Sequence, residues 1–332
     1  MFHRPRVCKF KWRSFHCLSY FVTTIIHISA GGISLKNKIK LSKSLNCEIS
    51  VSYPYKYYKC ESLYRLDCGV RQGGLTSPRL FNLYIDALID ELSSKRVGCS
   101  VGGVSINNIS YADDMVLLGP SVKAIRELLK VCEAYAESHG LTYNVKKCEY
   151  MVFEVRGKHR EDGPDLLLNG FKIKKVSSFK YLGHVIADDL KDNLDIERER
   201  RALAVRSNML ARRFARCTDQ VKITLFKSYC QSLYTGNLWV NYTKKTLDIL
   251  RVQYNNAFRM LLGLPRYCSA SEMFAQARTD GFHAIIRKKT ASLLRRVRDS
   301  PNGILRTVAE NNYSPILRKF YCILTLVNKS WY

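Results

Sequence analysis

Asp113 and Asp114 stand side by side in the segment Tyr111-Ala112-Asp113-Asp114. The run Ser105-Ile-Asn-Asn-Ile-Ser-Tyr111 precedes them and Met115-Val-Leu-Leu118 follows. Two β-leaning runs around a tight acidic turn predict a hairpin with both carboxylates at its tip. Carboxylates held that close repel unless something neutralises them, and a hard divalent cation with oxygen ligands does so. For an isolated pair, a solvated acidic turn is the plainer account, because Asp is common in turns. A second group of residues lies upstream in Gly69-Val-Arg71-Gln72-Gly73-Gly74-Leu-Thr-Ser-Pro78. Two glycines without β-carbons let backbone approach a ligand closely, or they are only a loop before a helix.

The elements around these residues follow from spacing. Ser77-Pro78 suits a helix start, and Leu80, Phe81, Tyr84, Leu88, Ile89 and Leu92 define one apolar face of a helix ending near Ser94. Val122, Ile125, Leu128, Leu129, Cys132 and Tyr135 define a second helix, with Gly140 as its stop. A strand is expected from Tyr150 to Val155, and a hairpin around Asn169-Gly170. Phe179 to Ile186 reads as one short strand. Beyond about residue 188 the pattern is helical, roughly over 193–216, 219–238, 244–262, 270–277 and 281–298. Tyr254 and Phe258, spaced with Leu250 and Leu261, read as helix core rather than ligand contacts.

The chain has 332 residues, of which 54 are Lys or Arg and 28 Asp or Glu, for a net charge of +26. An apolar content of 46% excludes a disordered chain, and 18 Gly with 8 Pro exclude collagen-like or low-complexity structure. No apolar run is long enough for a membrane helix. The charge is uneven. Residues 1–46 hold 9 basic and no acidic residues, 47–186 hold 19 and 16, and 187–332 hold 26 and 12. The near-neutral middle suits a core that holds carboxylates. The polycationic last segment suits a polyanion such as nucleic acid, or it is a solvated helical surface.

The 12 cysteines form no C-x-x-C pair and no zinc-type set with His. Reduced, mostly buried thiols in a cytosolic or nuclear protein are expected. The segment before Ala30 faintly resembles a signal peptide, but Ser, Thr and His interrupt its apolar stretch, and secretion is not favoured. Phe21-Val-Thr-Thr-Ile-Ile-His-Ile28 is β-branched and uncharged and could pair in a sheet. Nothing in the sequence fixes a register for it, so residues 1–46 are expected to stay detached as a basic leader.

Taken together, these segments resemble the polymerase of non-LTR (LINE-type) retrotransposons, the reverse transcriptases. Gly69 to Pro78, followed by Leu80-Phe81-Asn82, resembles that family's second palm motif, and the Tyr-Ala-Asp-Asp box follows 42 residues after Gly69. Gly140-Leu-Thr-Tyr-Asn144-Val-Lys-Lys147 resembles its fourth motif, and Phe179-Lys-Tyr181-Leu182-Gly183 its primer grip. Tyr254 to Pro265 resembles the helical thumb.

The resemblance implies an α+β fold. A partial right-hand polymerase palm, an antiparallel sheet with packed helices, would occupy residues 47–187, and an all-helical basic thumb 188–332. It implies two-metal nucleotidyl transfer with Mg²⁺, on an RNA template and a DNA primer or an RNA–DNA hybrid, from deoxynucleoside triphosphates and without a membrane. Asp113 and Asp114 would bind metal. Arg71, Gln72, Gly73 and Gly74 would contact template or nucleotide, Lys147 would act as general acid, and Tyr181, Leu182 and Gly183 would hold the primer. The family's first motif, an Asp on an upstream strand, has no counterpart here. Glu48, Glu61 and Asp67 are the only acids before Gly69, and none sits in such a run. The sequence therefore reads as truncated at its N-terminus, with weak Mg²⁺ binding and no activity in isolation. A non-catalytic nucleic-acid-binding remnant is the alternative.

Overall fold

The computed structural model describes residues 23–29, 75, 77–153, 163–311 and 314–325. Strand β1 (Thr23–Ser29) is followed by helix α1 (Ser77–Ser94) and by strands β2 (Cys99–Val101), β3 (Val104–Ile106), β4 (Asn108–Tyr111) and β5 (Asp114–Gly119). Helix α2 (Val122–Ser138) leads through a 3₁₀ turn at Val145–Lys147 into β6 (Glu149–Phe153). Short strands β7 (Leu167–Leu168), β8 (Phe171–Lys172) and β9 (Lys174–Lys175) precede the hairpin of β10 (Ser178–Tyr181) and β11 (His184–Ala187). Helices then take over: α3 (Asn193–Arg213), α4 (Asp219–Tyr229), α5 (Lys244–Leu262), α6 (Ala270–Gln276), α7 (Phe282–Arg298), α8 (Gly303–Glu310) and α9 (Pro315–Thr325). Mixed strands and helices with small antiparallel sheets agree with the expected α+β class.

The main sheet has the order β4-β5-β1-β6-β9, antiparallel except for the β6–β9 pair. Strand β5 is buried on both faces, so its side chains alternate between two cores. Met115 and Leu117 join α1 and α2, where Ile85, Leu88, Leu92, Ile125, Leu128 and Leu129 pack. Val116 and Leu118 join Met151, Phe153, Phe179, Tyr181 and Val308 of α8 on the opposite face. Helix α2 begins at Ser121, whose hydroxyl accepts from Ala124 N at 3.2 Å. It ends at Gly140, whose φ of +63° lets Leu141 N reach Ala136 O at 2.8 Å.

The detached first segment expected from sequence is not what the chain adopts over Thr23–Ser29. That strand sits between β5 and β6, pairing Thr24 with Gly119 and Ser29 with Asp114 on one side, and Thr23 with Phe153 and His27 with Glu149 on the other. Two flanking strands fix the register that β1's own sequence leaves open. They also gain a partner where each would otherwise show a bare edge.

Three other expectations change. The stretch Phe179 to Ile186 is a hairpin rather than one strand, because Leu182 and Gly183 take φ of +44° and +83° and reverse the chain. The helix expected to run to residue 238 stops at Tyr229, where the chain turns inward through Cys230 and Leu233, both fully buried. Gln231 Nε2 lies there 3.0 Å from both Tyr254 Oη and Thr279 Oγ1. Helices α8 and α9 lie beyond the last helix expected from spacing. Tyr254 and Phe258 are buried core, as their spacing predicts, in ring contact with Phe226 and Phe274.

Candidate functional site

The β4–β5 hairpin carries the acidic pair as its sequence predicts. Tyr111 and Asp114 form the last register pair, and Ala112 and Asp113 make the turn. Ala112 takes φ of +52°, a left-handed conformation that costs a residue with a β-carbon about 1 kcal/mol and fixes the tip's direction. Asp113 is exposed and Asp114 half-buried. The burial follows the pleat: Asp114 opens the buried strand β5, whereas Asp113 lies beyond the ladder.

The register shows what stands beside the pair. Ser29, the last residue of β1, is opposite Asp114. Strand β1 contains no acid. His27 pairs with Glu149, so β6 begins at the same end of the sheet as the acidic tip. Lys147 lies two residues before Glu149, exposed at the close of the 3₁₀ turn, where its N–H donates to Asn144 O at 2.9 Å. Two strand spacings, about 10 Å of backbone, separate β5 from β6 at that end. The topology therefore gathers Asp113, Asp114 and Lys147 at one edge of one sheet.

Tyr181, Leu182 and Gly183 are not in that sheet. They form the turn of the β10–β11 hairpin, which packs on the face of the sheet that carries Val116 and Leu118. Tyr181 is buried, whereas Leu182 and Gly183 are half-buried. Arg71, Gln72, Gly73 and Gly74 lie outside the described residues.

Among the described residues, no three His, Cys, Asp or Glu side chains stand close enough to hold a metal ion. The hairpin offers two carboxylates, and the residue paired with Asp114 in the strand beside it is Ser29, not an acid. Mg²⁺ requires near-octahedral oxygen coordination, and a two-ion centre requires ligands to bridge and flank both ions. This donor set does not fit a complete two-ion centre.

A polar cluster that sequence reasoning missed lies where β11 meets α3. The carboxylate of Asp195 is fully buried. It accepts from Val185 N at 3.0 Å, Arg198 Nε at 2.7 Å, Thr235 Oγ1 at 2.5 Å and Trp239 Nε1 at 2.8 Å. His184 Nδ1 lies 3.0 Å from the same carboxylate. Burial alone would raise the Asp195 pKa. The hydrogen bonds from His184, Arg198 and Thr235 outweigh it and hold the carboxyl well below the usual range. Nearby Asp192 accepts from Val240 N at 2.6 Å and Asn241 N at 2.9 Å. In the sequence these acids look like part of a charged helix face. Only the buried Trp239 and Thr235 hint that one points inward.

The helices present exposed cations: Arg212, Arg213 and Arg216 around the end of α3, and Arg287, Lys288, Arg295, Arg296 and Arg298 on α7. Tyr267, beside Arg266 after α5, is 90% exposed. No helix among the described residues is long and apolar enough to cross a membrane.

Residues 33–186 match the family model described as reverse transcriptase (RNA-dependent DNA polymerase). The chain is 32% identical over 121 residues to the "Retrovirus-related Pol polyprotein from type-1 retrotransposable element R2" of Popillia japonica, a match covering 35% of this chain and 20% of that protein. It is 31% identical over 123 residues to the "Retrovirus-related Pol polyprotein from type-2 retrotransposable element R2DM" of Drosophila melanogaster, covering 35% and 11%. A type-1 R2 polyprotein of Nasonia vitripennis is 33% identical over 93 residues, covering 28% and 9%. The chain thus matches no more than a fifth of the length of these relatives.

Proposed function

We propose, from the match of residues 33–186 to the reverse transcriptase family model and the likeness to R2 retrotransposon polyproteins, that the chain is a palm-and-thumb segment of an RNA-directed DNA polymerase of a non-LTR element that grips a template–primer duplex. The palm is residues 47–187, with β1 completing its sheet, and the thumb is 188–332. The observation that carries this reading is the hairpin tip: Asp113 and Asp114 share a sheet end with Lys147, in a fold whose remaining motifs follow in family order.

Each residue then has a task. Asp113 and Asp114 present negative charge where the primer 3′-hydroxyl must be activated. In a completed centre Lys147 would give a proton to the departing pyrophosphate. Arg71 and Gln72 touch template or incoming nucleotide, and Gly73 and Gly74 allow close backbone approach. Leu182 and Gly183 face the primer strand, with buried Tyr181 anchoring their turn. The exposed arginines and lysines of the helices follow the duplex phosphates. The family's chemistry uses Mg²⁺. With Ser29 rather than an acid facing Asp114, these residues hold the ion weakly and the chain alone extends no primer. That same register favours a second reading, a nucleic-acid-binding retroelement remnant without catalysis.

Two measurements on the purified chain test this. It should bind an RNA–DNA hybrid without sequence preference, its affinity falling steeply as salt rises because binding releases counterions. A binding constant unchanged between low and moderate salt would refute the grip. Template-directed incorporation that disappears in Asp113→Ala would refute the predicted inactivity and favour the first reading over the second.

A further inference from the structure

Tyr234 is an exposed aromatic between two buried neighbours. Leu233 and Thr235 are 0% and 1% exposed, yet Tyr234 itself is 55% exposed. Its ring lies against the β10–β11 turn: a β-carbon added to Gly183 would meet Tyr234 Cε1 at 3.0 Å. Gly183 is glycine chiefly because of its φ of +83°; a β-carbon there would also sit tight against the Tyr234 ring.

The backbone segments on either side of this contact are tied together. Asp195 binds Val185 N in β11 through one oxygen, and Thr235 Oγ1 and Trp239 Nε1 through the other. Arg198 Nη2 adds a bond to Thr235 Oγ1 at 2.9 Å. One buried carboxylate therefore ties the strand after Gly183 to the residue after Tyr234. Lys180, exposed on β10, places a cation on the same hairpin. An aromatic ring on a tied backbone segment, more than half open to water and set against a hairpin that carries an exposed lysine, suits a ligand with a flat π-face and a phosphate. The backbone's ordering cost is met by the fold rather than by binding.

We infer that the Tyr234 ring, set against the Leu182–Gly183 turn, is a stacking platform for the terminal nucleotide of a recessed nucleic-acid strand. This rests on the reading of the chain as a template–primer-binding segment, and it adds a contact from the helical half to the primer turn.

The test uses the whole chain and two fluorescein-labelled RNA–DNA hybrids, one with a recessed DNA 3′ end and one blunt. In a third, recessed hybrid, 5-iodouracil replaces the 3′-terminal base. Wild type should favour the recessed hybrid over the blunt one, and irradiation should crosslink the terminal base to the peptide containing Tyr234. Tyr234→Ala should lose about tenfold in affinity for the recessed hybrid. It should lose the crosslink, leave blunt-hybrid binding unchanged and melt at the wild-type temperature. Tyr234→Phe should retain both affinity and crosslink. The platform is overturned if Tyr234→Ala binds the recessed hybrid as wild type does, or if the crosslink maps elsewhere while the chain still binds hybrids with steep salt dependence. In either case the polymerase reading survives. A wild-type chain that binds neither hybrid overturns both together.

Discussion

Asp195 shows how much one side chain carries. Five groups from three parts of the chain converge on its two oxygens. Asp195→Ala leaves those donors buried and unsatisfied, and should cost about 3–5 kcal/mol of stability by chemical denaturation. Acid should act on the same group. Its folded-state pKa lies below the unfolded value, so its contribution is complete above the usual carboxylate range and drains away as pH falls through and below it. Glu197, drawn down to about 2 by hydrogen bonds from Arg200 and Arg201, adds a smaller, solvent-screened share of the same sign. Stability measured from neutral pH toward pH 3 should therefore decline, and Asp195→Asn should flatten the decline. Legibility in the sequence follows sequence distance. Asp113 and Asp114 are readable because their hairpin is local, whereas the partners of Asp195 lie 3 to 44 residues away.

Turns separate the legible elements from the rest. The β7–β8 hairpin is foretold by Asn169-Gly170, which take φ of +51° and +78°. A β-carbon at Gly170 would meet nothing within 4 Å, so Gly170→Ala should cost only the left-handed backbone term, about 1 kcal/mol, in a thermal melt. The β10–β11 turn is hidden because Leu182-Gly183 lacks such a signal and Leu182 adopts φ of +44° against its own preference. Helices α1, α2, α5 and α7 are legible because each buries a periodic apolar stripe. Strand β1 is half-legible: its β-branched content shows a strand, but its place depends on partners far along the chain. Its amides at Thr23 to Ile28 should exchange slowly with solvent, together with those of Met115 to Leu118. Deleting residues 1–29 should release the β5 amides. Fast exchange at Thr23 to Ile28 in the intact chain would contradict the pairing.

At the scale of the whole molecule, the charge of +26 and the sheet's topology act separately. The charge sets what the surface attracts, and it should give a log–log salt slope proportional to the phosphates neutralised, about 0.9 per contact on duplex DNA and somewhat different on a hybrid. Neutralising Arg295, Arg296 and Arg298 together should lower that slope without changing the melting temperature by more than a few degrees, because these residues are exposed. Helix α8, far along the chain, returns to close the face of the sheet opposite α1 and α2, so the last third of the chain helps to build a core of the first sheet.

Strand β1 also governs the order in which the molecule can assemble. The β4–β5 hairpin, α2 and β6 follow one another in the chain and can associate early, but β5 and β6 are not neighbours. They flank a slot one strand wide. The strand that fills it is synthesised before either wall and must be recaptured across the whole stretch from Ser29 to Asp114. Closing so long a loop is slow and its entropy comes due before the sheet repays it. Refolding should therefore be biphasic, with helix and hairpin signals returning first and protection of β5 last. Replacing Ile25 and Ile26 with Gly should slow that second phase and leave the first untouched.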